Sequence, residues 1–260
     1  MKQILRTRIR SILSLFGFGV YKIDSAELFN FWNLLFLTLR EDGHIRYLQI
    51  GANDGVLVDP MYEFVRRNQH RVSGLLVEPV GIHFSKLKSN YSHIPNIIAV
   101  RRAIHNYEKS MTLFVAKETT NDKRNVAVAG LSSFNRNHLL QHGSLGDTDI
   151  VEEQVKCSSA EELLQEYSFM DINVLVTDTE GYDFEILDNL DLNKIRPKVV
   201  LFEHGLAAGT MTSDELESLC EKFNKFGYQL SIVNNDAIAI QTQFIVKCLI
   251  RLESDPETQI

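Results

Sequence analysis

The sequence has no run of about 20 apolar residues of the kind that crosses a bilayer. It also has no Cys-x-x-Cys pair, no surplus of positive charge, no internal repeat and no low-complexity tract. The three cysteines, Cys157, Cys220 and Cys248, are odd in number and far apart, which excludes a disulfide scaffold and offers no spacing for zinc or redox exchange. A reducing, cytoplasmic setting is the expectation. The formal charge of −7 argues against a nucleic-acid partner, because affinity for a polyanion depends on clustered Lys and Arg. What is present is ordinary globular material: 260 residues, 44% of them hydrophobic, are enough for one large core.

The expected division is an N-terminal helical extension over residues 1–40, one α/β domain over 41–250 and a tail over 251–260. In the extension, Lys2, Arg6, Arg8 and Arg10 alternate with Leu5, Ile9, Ile12 and Phe16 at helical spacing. That pattern is a basic amphipathic helix, which either caps the domain or makes a peripheral membrane contact. Its apolar continuation over 12–21 is too short to span a bilayer and lacks the small-x-small cleavage site of a signal peptide.

Residues 25–40 form a second expected helix, with Leu28, Phe31, Trp32, Leu35, Phe36 and Leu39 on one wide apolar face. Beyond it, short apolar runs at 45–50, 73–78, 96–100, 173–178 and 198–203 alternate with helical stretches, which predicts a parallel sheet with crossovers. Residues 111–116 read as an extra strand. The stretch 118–149 is rich in Asn, Gly, Ser and His and is the expected place for substrate contacts, with Ser132, Ser133 and Asn135 as candidates. A helix over 213–226 precedes two strand-like runs, 227–233 and 237–246, joined by the hairpin signal Asn234-Asn235-Asp236.

The first core strand runs into Gln49-Ile50-Gly51-Ala52-Asn53-Asp54-Gly55, where glycines allow a ligand to approach the backbone. The dinucleotide fingerprint G-x-G-x-x-G does not fit, because Asn53 and Val56 stand at its second and third glycines; a nicotinamide site is disfavoured. Asp54 suits a ligand with a cationic end, since a carboxylate repels a pyrophosphate; the same residue can equally be a local helix or turn cap. Glu78, at the end of the second strand, can accept both hydroxyls of a ribose. Ala103 and Ile104, just past the third strand, can sandwich an adenine ring, although such pairs are also common core sequence.

These blocks resemble the FkbM family of methyltransferases. Residues 50–55 are similar to the family's first cofactor motif, and Glu78-Pro79 with Phe84, Leu87 and Asn90 to its ribose-binding strand and following helix. Asp178-Thr179-Glu180-Gly181-Tyr182-Asp183 with Glu185 and Leu187 is similar to its most characteristic block, so the resemblance covers roughly residues 45–245. It implies a Rossmann-like class I fold: a seven-stranded, mostly parallel sheet with a C-terminal antiparallel hairpin. It also implies S-adenosylmethionine as cofactor and methylation of a hydroxyl on a sugar, glycan-linked acceptor or secondary metabolite. Many members carry an acid two positions before the first motif glycine, where this chain has Gln49. Asp54 is expected to supply the missing negative charge, with Gln49 contributing its amide oxygen.

A hydroxyl acceptor gains from a group that takes its proton during attack, and ligands of open α/β sheets bind at the carboxyl ends of the strands. Two candidates end there. Asp178 can orient donor or acceptor and Glu180 can act as base; the competing reading makes Asp178, Thr179 and Asp183 caps of the next helix. His204, after Phe202-Glu203, is of the side-chain type suited to accept a proton at physiological pH, a reading that competes with a merely structural histidine. A magnesium site of Asp178, Glu180 and Glu203 has no spacing rule behind it, and no metal is expected. His138 and His142 are four apart, without the Glu of the zinc-protease pattern. The rival readings are an NAD-type oxidoreductase and a catalytically inactive, membrane-tethered binding module.

Overall fold

The computed structural model describes residues 30–117, 131–141, 145–207 and 209–254. The basic N-terminal helix, with its membrane reading, and the insertion's residues 118–130 lie outside them. Helix α1 (Phe31–Asp42) begins where the Asn30 side chain accepts from Trp32 N–H and ends at Gly43, whose φ of 74° is the left-handed cap. The start expected at residue 25 also lies outside the described residues, while Phe31, Leu35 and Leu39 are buried as expected. α1 crosses the 40/41 boundary of the expected division.

The chain then alternates as anticipated: β1 (Ile45–Ile50), α2 (Tyr62–Arg67), β2 (Val72–Val77), α3 (Gly81–Asn90) and β3 (Ile97–Val100). A second set of strands follows: β4 (Ala103–Ile104), β5 (Ser110–Ala116), β6 (Ser132–Ser133), helix α4 (Arg136–Gln141) and β7 (Ile150–Ser158). Alternation resumes with α5 (Ala160–Glu166), β8 (Val174–Thr177), α6 (Asp183–Asp188), β9 (Val199–Glu203), α7 (Ser213–Lys225), β10 (Tyr228–Val233), β11 (Asp236–Gln241) and α8 (Thr242–Ser254).

The main sheet has the order β10-β11-β9-β8-β1-β2-β3; it is parallel except for β11, which runs antiparallel to both β9 and β10. Its central strands bury both faces, so alternate residues enter different cores. Leu48, Ile50, Leu75 and Val77 pack on one side with α5, α6 and α7, and Ile45, Tyr47, Val72 and Leu76 pack on the other with α1, α2 and α3. That double burial is why the strands read as near-continuous apolar runs.

Two expectations are corrected. The run 237–246 is not one strand: β11 stops at Gln241 and α8 begins at once, with Phe244, Ile245 and Cys248 at helical spacing in the core. α8 continues past the 250/251 boundary to Ser254. The single extra strand expected at 111–116 belongs to a four-stranded second sheet, β4-β7-β5-β6, whose long strand β7 was not anticipated. Val80, Ala103, Leu113, Val115, Val155 and Cys157 form its own apolar cluster.

Candidate active site

From β1 the chain moves outward through β2 and β3; it later returns to the other side of β1 with β8 and β9. The β1–β8 boundary is therefore the sheet's switch point, where the two strand tips part. The tips meet at Gly51. Its φ is 79°, and a Cβ there would stand 1.7 Å from the Asp178 backbone oxygen, so glycine is required by strand packing rather than by a ligand. Gly55 is similar: with φ 73°, its missing Cβ leaves room for Leu87 and Tyr91 of the α3 region.

Above these tips lies a cleft with a cavity volume of ≈ 270 Å³. Of the residues expected to bind a cofactor, Gln49, Gly51, Asn53, Glu78, Pro79, Ala103, Ile104 and Asp178 line it; Glu180 lines it too. Asp54 and Gly55 do not. Asp54 Oδ1 instead accepts from the backbone N–H groups of Val56 and Leu57 (2.9 and 2.8 Å), which is the local-cap reading. The acid that reaches the cleft is Asp59, five residues on. Its Oδ2 accepts from Gln49 Nε2 (2.6 Å), while Oδ1 accepts from Met61 and Tyr62 N–H at the start of α2. Burial pushes the Asp59 carboxyl up to about 6 against these hydrogen bonds.

Glu78 is buried at the β2 tip. Its Oε2 accepts from Asn53 N–H and its Oε1 from Val80 N–H, both at 2.8 Å, so the carboxylate ties the β1 turn to the start of α3. Burial lifts its pKa to about 7, with the two N–H groups opposing the rise.

β8 runs into two further acids. Asp178 stands open in the cleft, yet protein crowds it closely enough that burial is the first cause of its rise to about 8. Asp183, Glu203, Asp236 and Asp59 add like charge. Glu180 rises to about 7 through burial and the neighbouring Asp178 and Asp183, and its backbone takes a φ of 55° that non-glycine residues seldom adopt. Asp183 Oδ2 accepts from both the N–H and the hydroxyl of Thr179 (3.0 and 2.7 Å). Asp183 thus braces the loop after β8 and does not cap α6, which starts without the side-chain cap that the competing reading would require.

His204 is a correction. Its buried ring does not line the cleft, and Nδ1 accepts from Leu206 N–H at 3.2 Å in the loop after β9. Glu203 does not line the cleft either. Among the described residues, no three His, Cys, Asp or Glu side chains converge to hold a metal ion. Ser132 and Ser133 of the insertion do line the cleft, but Asn135 does not; its side chain accepts from Asn137 N–H at the start of α4. His138 lies beside Gly181, and its partner at position 142 lies outside the described residues. The sequence reading missed Phe134 and Tyr182, which meet edge to face at 5.1 Å on the cleft wall, with His105 stacked on Tyr182 at 5.7 Å.

These residues fit an adenosyl ligand with a cationic arm. Glu78 offers a carboxylate at the strand tip, while Pro79, Ala103 and Ile104 supply apolar walls. Gln49 Oε1 is buried with no hydrogen-bond partner among the described residues, an acceptor that awaits a donor.

Several solved structures are similar to the chain. One is a precorrin-6y C5,15-methyltransferase from Geobacter metallireducens (12% identity, TM-score 0.41, 80% of this chain and 87% of that one). Another is an O-methyltransferase from Bacillus cereus in complex with SAH (9%, 0.39, 90% of each). A third is the human methyltransferase 10 domain containing protein (14%, 0.40, 92% and 95%). No curated protein matches. The model of the methyltransferase FkbM domain matches residues 49–230, well over half of the sequence, and the chain therefore belongs to the FkbM methyltransferase family.

Proposed function

We propose that the chain methylates a hydroxyl of a sugar, a glycan-linked acceptor or a secondary metabolite. Methylation, with S-adenosylmethionine as donor, follows from the family; the hydroxyl acceptor is the further step. The observation that carries it is the pair of carboxylates on the cleft wall, Asp178 and Glu180, lifted to about 8 and about 7. A hydroxyl must lose a proton as it attacks, and a base whose pKa lies near the working pH does this best.

The bound donor supplies a methyl group already activated on a positively charged sulfur. The protein's share is then placement, exclusion of water and removal of one proton. Glu180 takes the hydroxyl proton. Asp178, at the β8 tip beside Gly51, orients the reacting groups. Leu113, Leu131 and Phe134 keep that side of the cleft apolar, and Ser132 and Ser133 offer hydroxyls to a polar acceptor. The net charge of −7 supports a small or glycan acceptor over a nucleic acid. Three free cysteines, two of them buried, support a reducing, cytoplasmic setting.

The test is mass spectrometry of small-molecule extracts incubated with the protein and a deuteromethyl donor. A product labelled on oxygen is expected, and Glu180→Gln should form it about 10²- to 10⁴-fold more slowly with SAH affinity unchanged. A label on nitrogen or carbon would overturn the hydroxyl assignment. An unaltered rate in the variant would remove Glu180 as the base.

A further inference from the structure

Gln49 stands where many members of the family carry an acid, yet the cleft is not short of negative charge beside it. Gln49 is almost fully buried, at 3% exposure, as the penultimate residue of β1, two positions before Gly51. Its two ends are treated differently. Nε2 donates to Asp59 Oδ2 at 2.6 Å, and because a carboxylate only accepts, this bond fixes the amide with Oε1 on the other side. Oε1 then has no partner among the described residues, although leaving a buried acceptor unmade costs about 1–3 kcal/mol.

Around this acceptor the charges are unbalanced. Asp59 and Asp178 both line the cleft and repel one another. Among the described residues, no lysine or arginine lines it. Asp59 is held rigidly by the N–H groups of Met61 and Tyr62, and the preceding Val58 takes a φ of 57°, unusual for a β-branched residue. A cationic N–H donor placed here would satisfy Oε1 and relieve the repulsion at once. Neutral ligands would do only the first.

We infer that Gln49 Oε1 and the Asp59 carboxylate form a relocated ammonium site, holding the amino group of the donor's amino-acid arm. The inference rests on the donor assignment of the preceding subsection. Negative charge that would have come from β1 itself comes instead from the loop before α2, with Gln49 as the adaptor between that loop and the ligand. Asp54, the nearer acid in sequence, takes no part.

Calorimetric titration with SAH, which carries the ammonium, and with 5′-methylthioadenosine, which lacks the whole amino-acid arm, isolates the site without any turnover. Wild-type protein should prefer SAH. Asp59→Asn, which keeps an oxygen to cap α2, and Gln49→Met, which keeps the shape but removes the acceptor, should each lose SAH affinity about ten-fold or more, the size of one charge-assisted hydrogen bond. Both should bind 5′-methylthioadenosine as the wild type does. Equal losses for the two ligands would mean that Asp59 and Gln49 only support the fold, and would overturn the inference; so would SAH affinity retained in both variants. Folded wild-type protein that binds neither ligand would instead overturn the donor assignment and this inference with it.

Discussion

Asp178 concentrates the electrostatic tension of the cleft. Its pKa is raised to about 8, above the ordinary value of 3.8, because burial and four neighbouring acids oppose its charge. A carboxyl whose pKa is higher in the folded than in the unfolded chain contributes stability below its unfolded pKa and loses that contribution as pH climbs through the folded value. Glu78 and Glu180, both lifted to about 7, act in the same direction. The ligand-free protein should therefore melt several degrees lower at about pH 9 than at about pH 5, and Asp178→Asn should flatten that slope. Melting curves across the range decide it: a variant as pH-sensitive as the wild type would show that Asp178 is not where the strain resides. At this scale the sequence was a partial guide. It presented Asp54 and Asp59 in one loop without saying which would turn inward, because that depends on the backbone path through Val58. It also could not show that the ring of His204, one residue past the β9 tip, would stay outside the cleft.

Among the elements, the junction of β1 and β8 is the most constrained. Gly51→Ala would put a methyl 1.7 Å from a backbone oxygen at a φ of 79°, and neither strand tip can retreat without disturbing the parallel ladder that pairs Ile50 with Thr177. We expect a loss of about 2 kcal/mol or more, from overpacking and backbone strain together, read by urea denaturation. A negligible loss would mean that the tips separate freely, and with them the floor of the cleft. The elements themselves were mostly legible, since strands buried on both faces and helices with one apolar face leave distinct periodicities. The exceptions are instructive. β7 carries Glu152, Gln154 and Lys156 toward solvent, so its apolar residues are too interrupted to stand out. Residues 237–246 are mostly apolar, and a short apolar run does not reveal whether it is strand or helix; the packing of Phe244 and Ile245 against the sheet's second core goes with its helical latter part.

For the molecule as a whole, ligand linkage discriminates the donor from the nicotinamide alternative. SAH at about 100 times its dissociation constant should stabilise the folded state by about 2.7 kcal/mol, and NADH at the same concentration should leave the melting temperature where it was. A shift with NADH alone would contradict the family's chemistry. Among the described residues no helix is long and apolar enough to cross a membrane.

Local sequence determined the alternation of strands and helices, the order of the family's blocks and the acids at the tips of β2 and β8, because each of these is written in spacing along the chain. The tertiary structure alone decided the company those acids keep: that Asp59 and not Asp54 lines the cleft, that Gln49 donates to Asp59, that a second sheet brings Ser132 and Phe134 to the wall. The reason is physical. Periodicity reports which face of an element is buried, whereas a cleft is made by residues distant in sequence whose meeting depends on how the loops between elements close.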